Sequence, residues 1–285
     1  MYLLLAGVLF EQIGYRRVWA RLVSGLGGPV VAAPSTSAVS QALRRVGSDA
    51  LRALFGLVAG PGAGAVRWRG LLVCAIDGTT LFVPDTTSNS RVFGRQTGRP
   101  DAAAGYPMVR LLTVVACGTR TVIDAVFGSY QVGETSWAPR LLDCPKPGMP
   151  LLADRNFAAA ALIEQISGTR ADLLIRCRAD RRLPPVGRLF DGSWLARVGP
   201  VLVRVVDAEI VVRDGDGGVR RTVRYRLITT LTDEKRYPAA ELVDLYHRRW
   251  EIETSYFELK SSILGGRVLR ARRGCHGNRV SPGDL

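Results

Sequence analysis

Three acids and one basic, aromatic helix face carry the residue types that could do chemistry in this chain. Asp77 follows the apolar run from Leu71 to Ile76, and Asp154 follows the shorter run from Leu151 to Ala153. Each carboxylate is therefore expected where a buried strand ends, the place at which open α/β sheets present their sites. An isolated aspartate there also serves as a turn former or helix cap, so neither acid is decisive alone. The third acid, Glu253, closes the segment Tyr246-His247-Arg248-Arg249-Trp250-Glu251-Ile252-Glu253. At about 100° per residue, Tyr246, Arg249, Glu253 and Lys260 share one narrow helix face, flanked by Trp250 and Phe257. The plainer alternative is a core-facing aromatic stripe in which Arg249 and Glu253 form an i, i+4 ion pair. Three carboxylates with no histidine among them suit a hard, oxygen-seeking cation such as Mg²⁺ or Mn²⁺ rather than zinc.

The remaining composition narrows the choice. The chain has 285 residues and only two histidines, His247 and His276. A three-histidine zinc site is excluded, and any Ser-His or Cys-His catalyst has to use one of those two. Five cysteines (Cys74, Cys117, Cys144, Cys177 and Cys275) are widely spaced and include no C-x-x-C pair. That pattern argues against a zinc ribbon or disulfide framework and for a reducing, cytoplasmic setting. No apolar run reaches the roughly 18 residues of a membrane span. The opening MYLLLAGVLF lacks a basic flank and meets Glu11 at once, so it reads as a buried first helix rather than a signal peptide. A formal charge of +14 points to a polyanion, most often nucleic acid, although genome-wide arginine enrichment produces the same balance.

The elements that must position the acids follow from periodicity. Residues 1–62 read as helical: Leu4, Leu5, Val8 and Leu9 recur at helical spacing, as do Val39, Ala42, Leu43 and Val46 after the start signal Pro34-Ser35-Thr36. The glycines from Gly60 to Gly64 break that pattern and mark a boundary. Between 67 and 170, apolar runs at 71–76, 111–116, 122–127 and 151–153 suit strands buried on both faces of an α/β sheet, with a helix at 157–166. From 171 to 232, short β-rich segments beginning with 173–177 are separated by turns, notably 214–218, and read as an insertion. Pro238 then opens a helix expected to run unbroken to about Leu264, where Gly265-Gly266 stops it. Residues 233–265 are acidic on balance while every other segment is basic, the 266–285 tail included.

Tyr246, Arg249, Glu253 and Lys260 match the pattern Tyr-x2-Arg-x3-Glu-x6-Lys at every spacing, and the chain thereby resembles DDE transposases of the insertion sequence 4 family. The contexts Ile76-Asp77-Gly78-Thr79 and Ala153-Asp154-Arg155-Asn156-Phe157 are similar to that family's, as is a β-rich insertion ahead of the glutamate. Lysine abundance does not explain the last match, because Lys146, Lys235 and Lys260 are the only lysines. The resemblance implies an α/β fold: an RNase H-like mixed sheet flanked by helices, built from 67–170 and 233–265 and interrupted by the insertion. Residues 1–62 would be part of a DNA-binding region. It implies that Asp77, Asp154 and Glu253 are catalytic and hold two Mg²⁺ or Mn²⁺ ions, with Asp77 bridging both. Tyr246, Arg249 and Lys260 would bind DNA, holding a phosphate near the element's 5′ end, Arg in a bidentate manner and Lys as a point charge.

The implied reaction is strand cleavage and strand transfer at insertion-sequence ends, in some relatives through a DNA hairpin. A base flipped out for hairpin formation needs an aromatic platform. Tyr225 is the candidate and Trp194 the second choice, a buried strand aromatic being the plainer reading of either. Expected partners are double-stranded DNA (element ends and target) and a second copy of the chain on paired ends, with no membrane. The expected setting is the bacterial cytoplasm, at the nucleoid. Relatives begin well before Met1 and continue past the motif helix, so a truncated or frame-disrupted copy with a non-native tail is expected. Two other readings remain open: an inactive remnant whose basic surface holds phosphates without sequence preference, and an RNase H-like nuclease.

Overall fold

A computed structural model describes residues 2–10, 13–25, 31–95, 105–213, 219–265 and 268. The 214–218 turn and the 266–285 tail, Val268 apart, lie outside the described residues. The chain divides into two compact units, one up to Ala59 and one from Gly60 onward.

The described part of the first unit carries helices α1 (Tyr2–Leu9), α2 (Gly14–Ser24), α3 (Thr36–Val46) and α4 (Asp49–Val58), in keeping with the helical periodicity. The start signal before α3 acts through Ser35, whose hydroxyl accepts the Ala38 N–H at 3.1 Å. That bond satisfies one of the orphan donors of the first turn. α3 stops at Gly47, whose φ of 66° is a backbone conformation glycine adopts without strain.

The second unit is built on one sheet. Its elements are β1 (Arg67–Trp68), β2 (Leu71–Leu72), β3 (Cys74–Phe82), α5 (Thr87–Phe93), β4 (Met108–Ala116), β5 (Thr121–Ser129), α6 (Glu134–Trp137), β6 (Leu151–Ala153), α7 (Ala160–Gly168) and β7 (Leu173–Cys177). These are followed by β8 (Gly187–Arg188), β9 (Trp194–Val198), β10 (Val201–Arg213), β11 (Val219–Thr229), α8 (Ala239–His247) and α9 (Trp250–Glu258). Apart from the small β1–β2 ribbon, the strands form a nine-stranded sheet in the order β5-β4-β3-β6-β7-β11-β10-β9-β8. β3, β4 and β5 are an antiparallel meander, β3, β6 and β7 run parallel, and β11 to β8 continue antiparallel. This is the mixed, helix-flanked α/β sheet expected.

Strand alternation gives the sheet two apolar faces. Cys74, Ile76, Leu112 and Ile175 pack with Leu162, Ile163 and Ile166 of α7 on one face. Ala75, Leu152 and Leu174 pack with Leu242, Leu245 and Tyr246 of α8 and Ile252 and Tyr256 of α9 on the other. Each fully buried leucine or isoleucine contributes about 1.5–3 kcal/mol, so α8 and α9 are held against the sheet mainly by apolar area.

Four sequence expectations are corrected by this architecture. Asp77 does not end its strand: β3 continues to Phe82, because its antiparallel partner β4 runs alongside for the whole length. Only the parallel pairing with β6 stops early, at Ala75–Leu152. The segment 173–177, read as the start of the insertion, is β7 and pairs in parallel with β6, so it belongs to the core sheet. The helix expected at 157–166 begins later, as α7 at Ala160, after a 3₁₀ turn at Arg155–Phe157. The final helix is not continuous. At Arg248 and Arg249 the bonding switches to i−3, with Arg248 N–H to Leu245 O and Arg249 N–H to Tyr246 O, and α9 then restarts at Trp250. A π turn at Leu259–Ile263 ends the segment.

Candidate active site

Asp77 lies on β3 and Asp154 just past the end of β6, and the α8–α9 segment packs over both. Counting on from the registered residues Cys74, Leu151 and Leu173, Asp77, Asp154 and Arg176 stand at the same level of three adjacent parallel strands. Asp77 alternates with Val73 and Ala75, whose side chains pack on the α8–α9 face, and so points toward that face.

Asp77 is met there by Arg249. Its Oδ2 accepts the Arg249 Nη1–H at 3.5 Å, and its Oδ1 accepts the Gly78 N–H at 2.8 Å. The other guanidinium nitrogen, Nη2, donates to Glu253 Oε1 at 2.6 Å. One cation therefore lies between two acids that are 176 positions apart in the chain. The Asp77 and Arg249 side chains are only 16% and 14% exposed, and Arg249 Nε is buried without a hydrogen-bond partner. Burial pushes the Asp77 carboxyl up to about 6; the Gly78 N–H and Arg249 oppose the shift, and the charges of Asp154 and Glu134 reinforce it. The i, i+4 ion pair read from sequence is thus real, but it is one half of a bridge. The aromatic-stripe reading is not realised: Trp250 and Phe257 are 61% and 69% exposed, and the break before Trp250 turns Ile252 and Tyr256 inward instead.

Asp154 caps the 3₁₀ turn, its Oδ1 accepting the Asn156 N–H at 2.8 Å, so the capping role considered from sequence is present. Tyr246 is buried, and its hydroxyl donates to the Ala153 carbonyl at 3.2 Å, fastening α8 beside Asp154. Burial pushes that phenol up to about 12. Lys260 is half-buried on the π turn, a geometry that recurs at functional sites. Tyr225 lies half-buried on the α8–α9 face, with the Arg176 guanidinium 4.1 Å from its ring centre. Trp194 packs into the opposite core, and its indole N–H donates to the Leu183 carbonyl at 3.0 Å.

Arg176 and Tyr256 escaped the sequence reading. Arg176 becomes visible only once the β6–β7 register is known. Tyr256 is buried, shares a 2.8 Å hydrogen bond with Thr113 Oγ1, and its hydroxyl also donates to the Asp77 backbone carbonyl. It ties α9 to β3 at the residue that matters. Tyr256→Phe is expected to cost about 1–2 kcal/mol, read as a lower urea midpoint with unchanged slope. An unshifted midpoint would show that the hydroxyl does not hold α9 in place.

The donor set, all carboxylate oxygens, has the chemistry of a hard-cation site. A partly desolvated Asp77 beside Asp154 also leaves negative charge for a cation to neutralise. Among the described residues no three His, Cys, Asp or Glu side chains stand together closely enough to hold one ion. Arg249 fills the gap between Asp77 and Glu253. Among the described residues, no helix is long and apolar enough to cross a membrane.

Comparison with known proteins adds independent information. Residues 68–275 match the model of the transposase DDE domain, and residues 1–56 match that of the insertion element 4 transposase N-terminal region. The chain is 29% identical over 252 residues to the transposase InsG for insertion sequence element IS4 of Escherichia coli strain K12, covering 83% of this chain and 56% of that protein. It is 30% identical over 132 residues to InsZ of the same strain, covering 45% of this chain and 44% of InsZ. It thus spans about half the length of the curated relatives it matches. A solved piggyBac transposase synaptic complex with hairpin DNA covers 72% of this chain and 41% of its own, at a TM-score of 0.41 and 13% identity.

Proposed function

Because the chain belongs to the DDE transposases of the insertion sequence 4 family, we propose that it cleaves DNA strands at the ends of an insertion sequence and joins them to target DNA. The observation that carries this reading is the convergence of Asp77 and Glu253 on one guanidinium, with Asp154 at the same level of the sheet. Asp77, Asp154 and Glu253 would hold divalent metal, Mg²⁺ or Mn²⁺, as two ions. Such ions, when bound, activate a water or a 3′-hydroxyl and stabilise the departing oxygen.

The chain's own groups supply the rest. Arg249, relieved of neutralising Asp77 and Glu253, is free to grip a DNA phosphate, and Lys260 adds a point charge. Tyr246, buried with its hydroxyl given to the Ala153 carbonyl, anchors α8 beside Asp154 and so positions Arg249 rather than touching a phosphate itself. Partners are double-stranded DNA, at element ends and target, and a second copy of this chain on paired ends, within the bacterial cytoplasm at the nucleoid. Tyr225, backed by Arg176, offers a face on which a flipped base can stack. Tyr225→Ala is expected to lower hairpin yield about five- to 150-fold, since base–aromatic stacking contributes about 1–3 kcal/mol. Unchanged yield would remove Tyr225 from that role.

Incubating the full chain with Mn²⁺ and DNA carrying the flanking element ends tests the reading. Cleavage confined to those ends, and lost in Glu253→Gln, supports it. A second reading, binding without cleavage, is favoured by the Arg249 bridge standing between two of the acids. It requires salt-sensitive binding that Glu253→Gln leaves intact and no strand cleavage with any divalent ion.

A further inference from the structure

A fourth carboxylate touches this site from the other face of the sheet. Glu134, the first residue of α6, lies against the backbone at Gly78. A Cβ built on Gly78 would fall 2.6 Å from the Glu134 Cδ and Oε1 and 2.7 Å from its Cγ. The closeness explains the glycine next to Asp77, since any larger residue would push Glu134 away. Glu134 is itself clamped, with Arg110 Nη1 donating to its Oε1 at 2.7 Å, and both side chains are under a fifth exposed. Arg110 sits on β4 opposite Thr80, is held by the Tyr130 carbonyl at 3.3 Å, and lies over the Tyr130 ring at 5.2 Å. The charge of Glu134 reaches both Asp77 and the Tyr256 hydroxyl that holds the Asp77 carbonyl. Sequence reading had no means of finding Glu134, which opens the short α6 after an edge strand and lies far from the motif helix.

We propose that Glu134 is a positioning residue for Asp77: it braces the strand at Gly78 and cancels the charge of Arg110 beneath the site, leaving Asp77 placed and available to a divalent cation. The inference rests on the metal-dependent reading above. Two effects converge. Without the carboxylate, the contact that abuts β3 at Gly78 is lost. Arg110 is then left as an uncompensated positive charge close to a cation site, where the low dielectric strengthens the repulsion.

The test is Mn²⁺ binding to the full chain, without DNA, followed by electron paramagnetic resonance. Glu134→Gln keeps the shape and a hydrogen bond to Arg110, and is expected to weaken Mn²⁺ binding about three- to tenfold while the thermal midpoint stays within a few degrees. Gly78→Ala, which displaces the carboxylate, is expected to weaken binding comparably, and the Gly78→Ala/Glu134→Ala double variant to be no worse than Glu134→Ala alone. Mn²⁺ affinity in Glu134→Gln equal to wild type would overturn the proposal, as would full additivity in the double variant. Asp77→Asn separates the two readings. If it leaves Mn²⁺ binding unchanged, the metal site itself is wrong; if it abolishes binding while Glu134→Gln does nothing, only the role of Glu134 fails.

Discussion

Replacing Asp77 with asparagine is expected to abolish metal-dependent strand cleavage, by at least about 10³-fold, and to raise the melting temperature of the metal-free protein at pH 8. The first effect follows, on the proposed reading, from removing a carboxylate that would hold the metal, since metal-borne charge stabilisation amounts to several kcal/mol of the barrier. The second follows from burial. The Asp77 carboxyl is pushed up to about 6 mainly because it is desolvated. A carboxyl whose folded pKa lies above its unfolded value of 3.8 favours the folded state at low pH, and that contribution is lost as pH rises through about 6. Above that pH the ionised side chain, offset only in part by Arg249, destabilises the fold until a further cation binds. A shift of this size corresponds to at most about 3 kcal/mol. Asparagine forgoes the pairing with Arg249, so a net gain of about 1–2 kcal/mol is expected, or roughly 2–6 °C in a domain of this size. The gain should disappear at pH 4 and shrink when Mn²⁺ is added to the wild type. Equal melting temperatures at pH 8, or retained cleavage, would contradict this account of Asp77.

Arg204→Ala is expected to destabilise the sheet unit by about 3–5 kcal/mol, the usual consequence of breaking a buried ion pair from one side. Arg204 is fully buried on β10. Its Nε donates to Ser193 Oγ at 2.8 Å, its Nη1 to the Tyr237 carbonyl at 2.6 Å, and its Nη2 to Asp191. Asp191 also accepts the Ala239 N–H at 3.1 Å, capping α8 from a distance of 48 positions in sequence. Burial alone would raise the Asp191 carboxyl, but the Ser193 hydroxyl and N–H, Arg204 and the Ala239 N–H together hold it below the usual carboxylate range. Its stabilising contribution is therefore present at neutral pH and lost on acidification below that range. This network fixes where α8 begins, and so where Tyr246 and Arg249 arrive. Urea unfolding of Arg204→Ala and Arg204→Met measures it. Because methionine keeps the volume without the charge, Arg204→Met in an Asp191→Asn background should recover part of the loss. A cost below about 1 kcal/mol in Arg204→Ala would mean the network does not hold the helix.

Legibility in sequence followed the range of each interaction. Ser35 as a cap, the helical character of the first unit and the apolar runs of β3, β4, β5 and β6 are effects of neighbouring residues, and all were readable. The continuous last helix was not, because its break at Arg248–Arg249 reflects two anchor points on the sheet. Glu251 accepts from the Gly118 N–H and Tyr256 reaches Asp77, and these fix α9 independently of α8. The boundary at 171 was misplaced for a similar reason. Short apolar strands of a core and of an insertion have the same local pattern, and only parallel pairing with β6 assigns β7 to the core.

Residue types and their spacing were enough to set the chemistry on offer and the family. Tyr246, Arg249, Glu253 and Lys260 are spaced along one contiguous segment, and two strand-borne aspartates with almost no histidine leave carboxylates as the reactive groups. Tertiary structure alone decided which of these groups meet. It set Asp77 on β3 beside the strand that Asp154 follows, put Arg249 between Asp77 and Glu253, and buried Arg204. It also brought Tyr256 and Glu134 against the backbone at Asp77 and Gly78 from opposite faces of the sheet. These are matters of strand register and helix docking between segments far apart in the chain. No local propensity encodes them, because side-chain periodicity specifies a face but not the residue that stands opposite it.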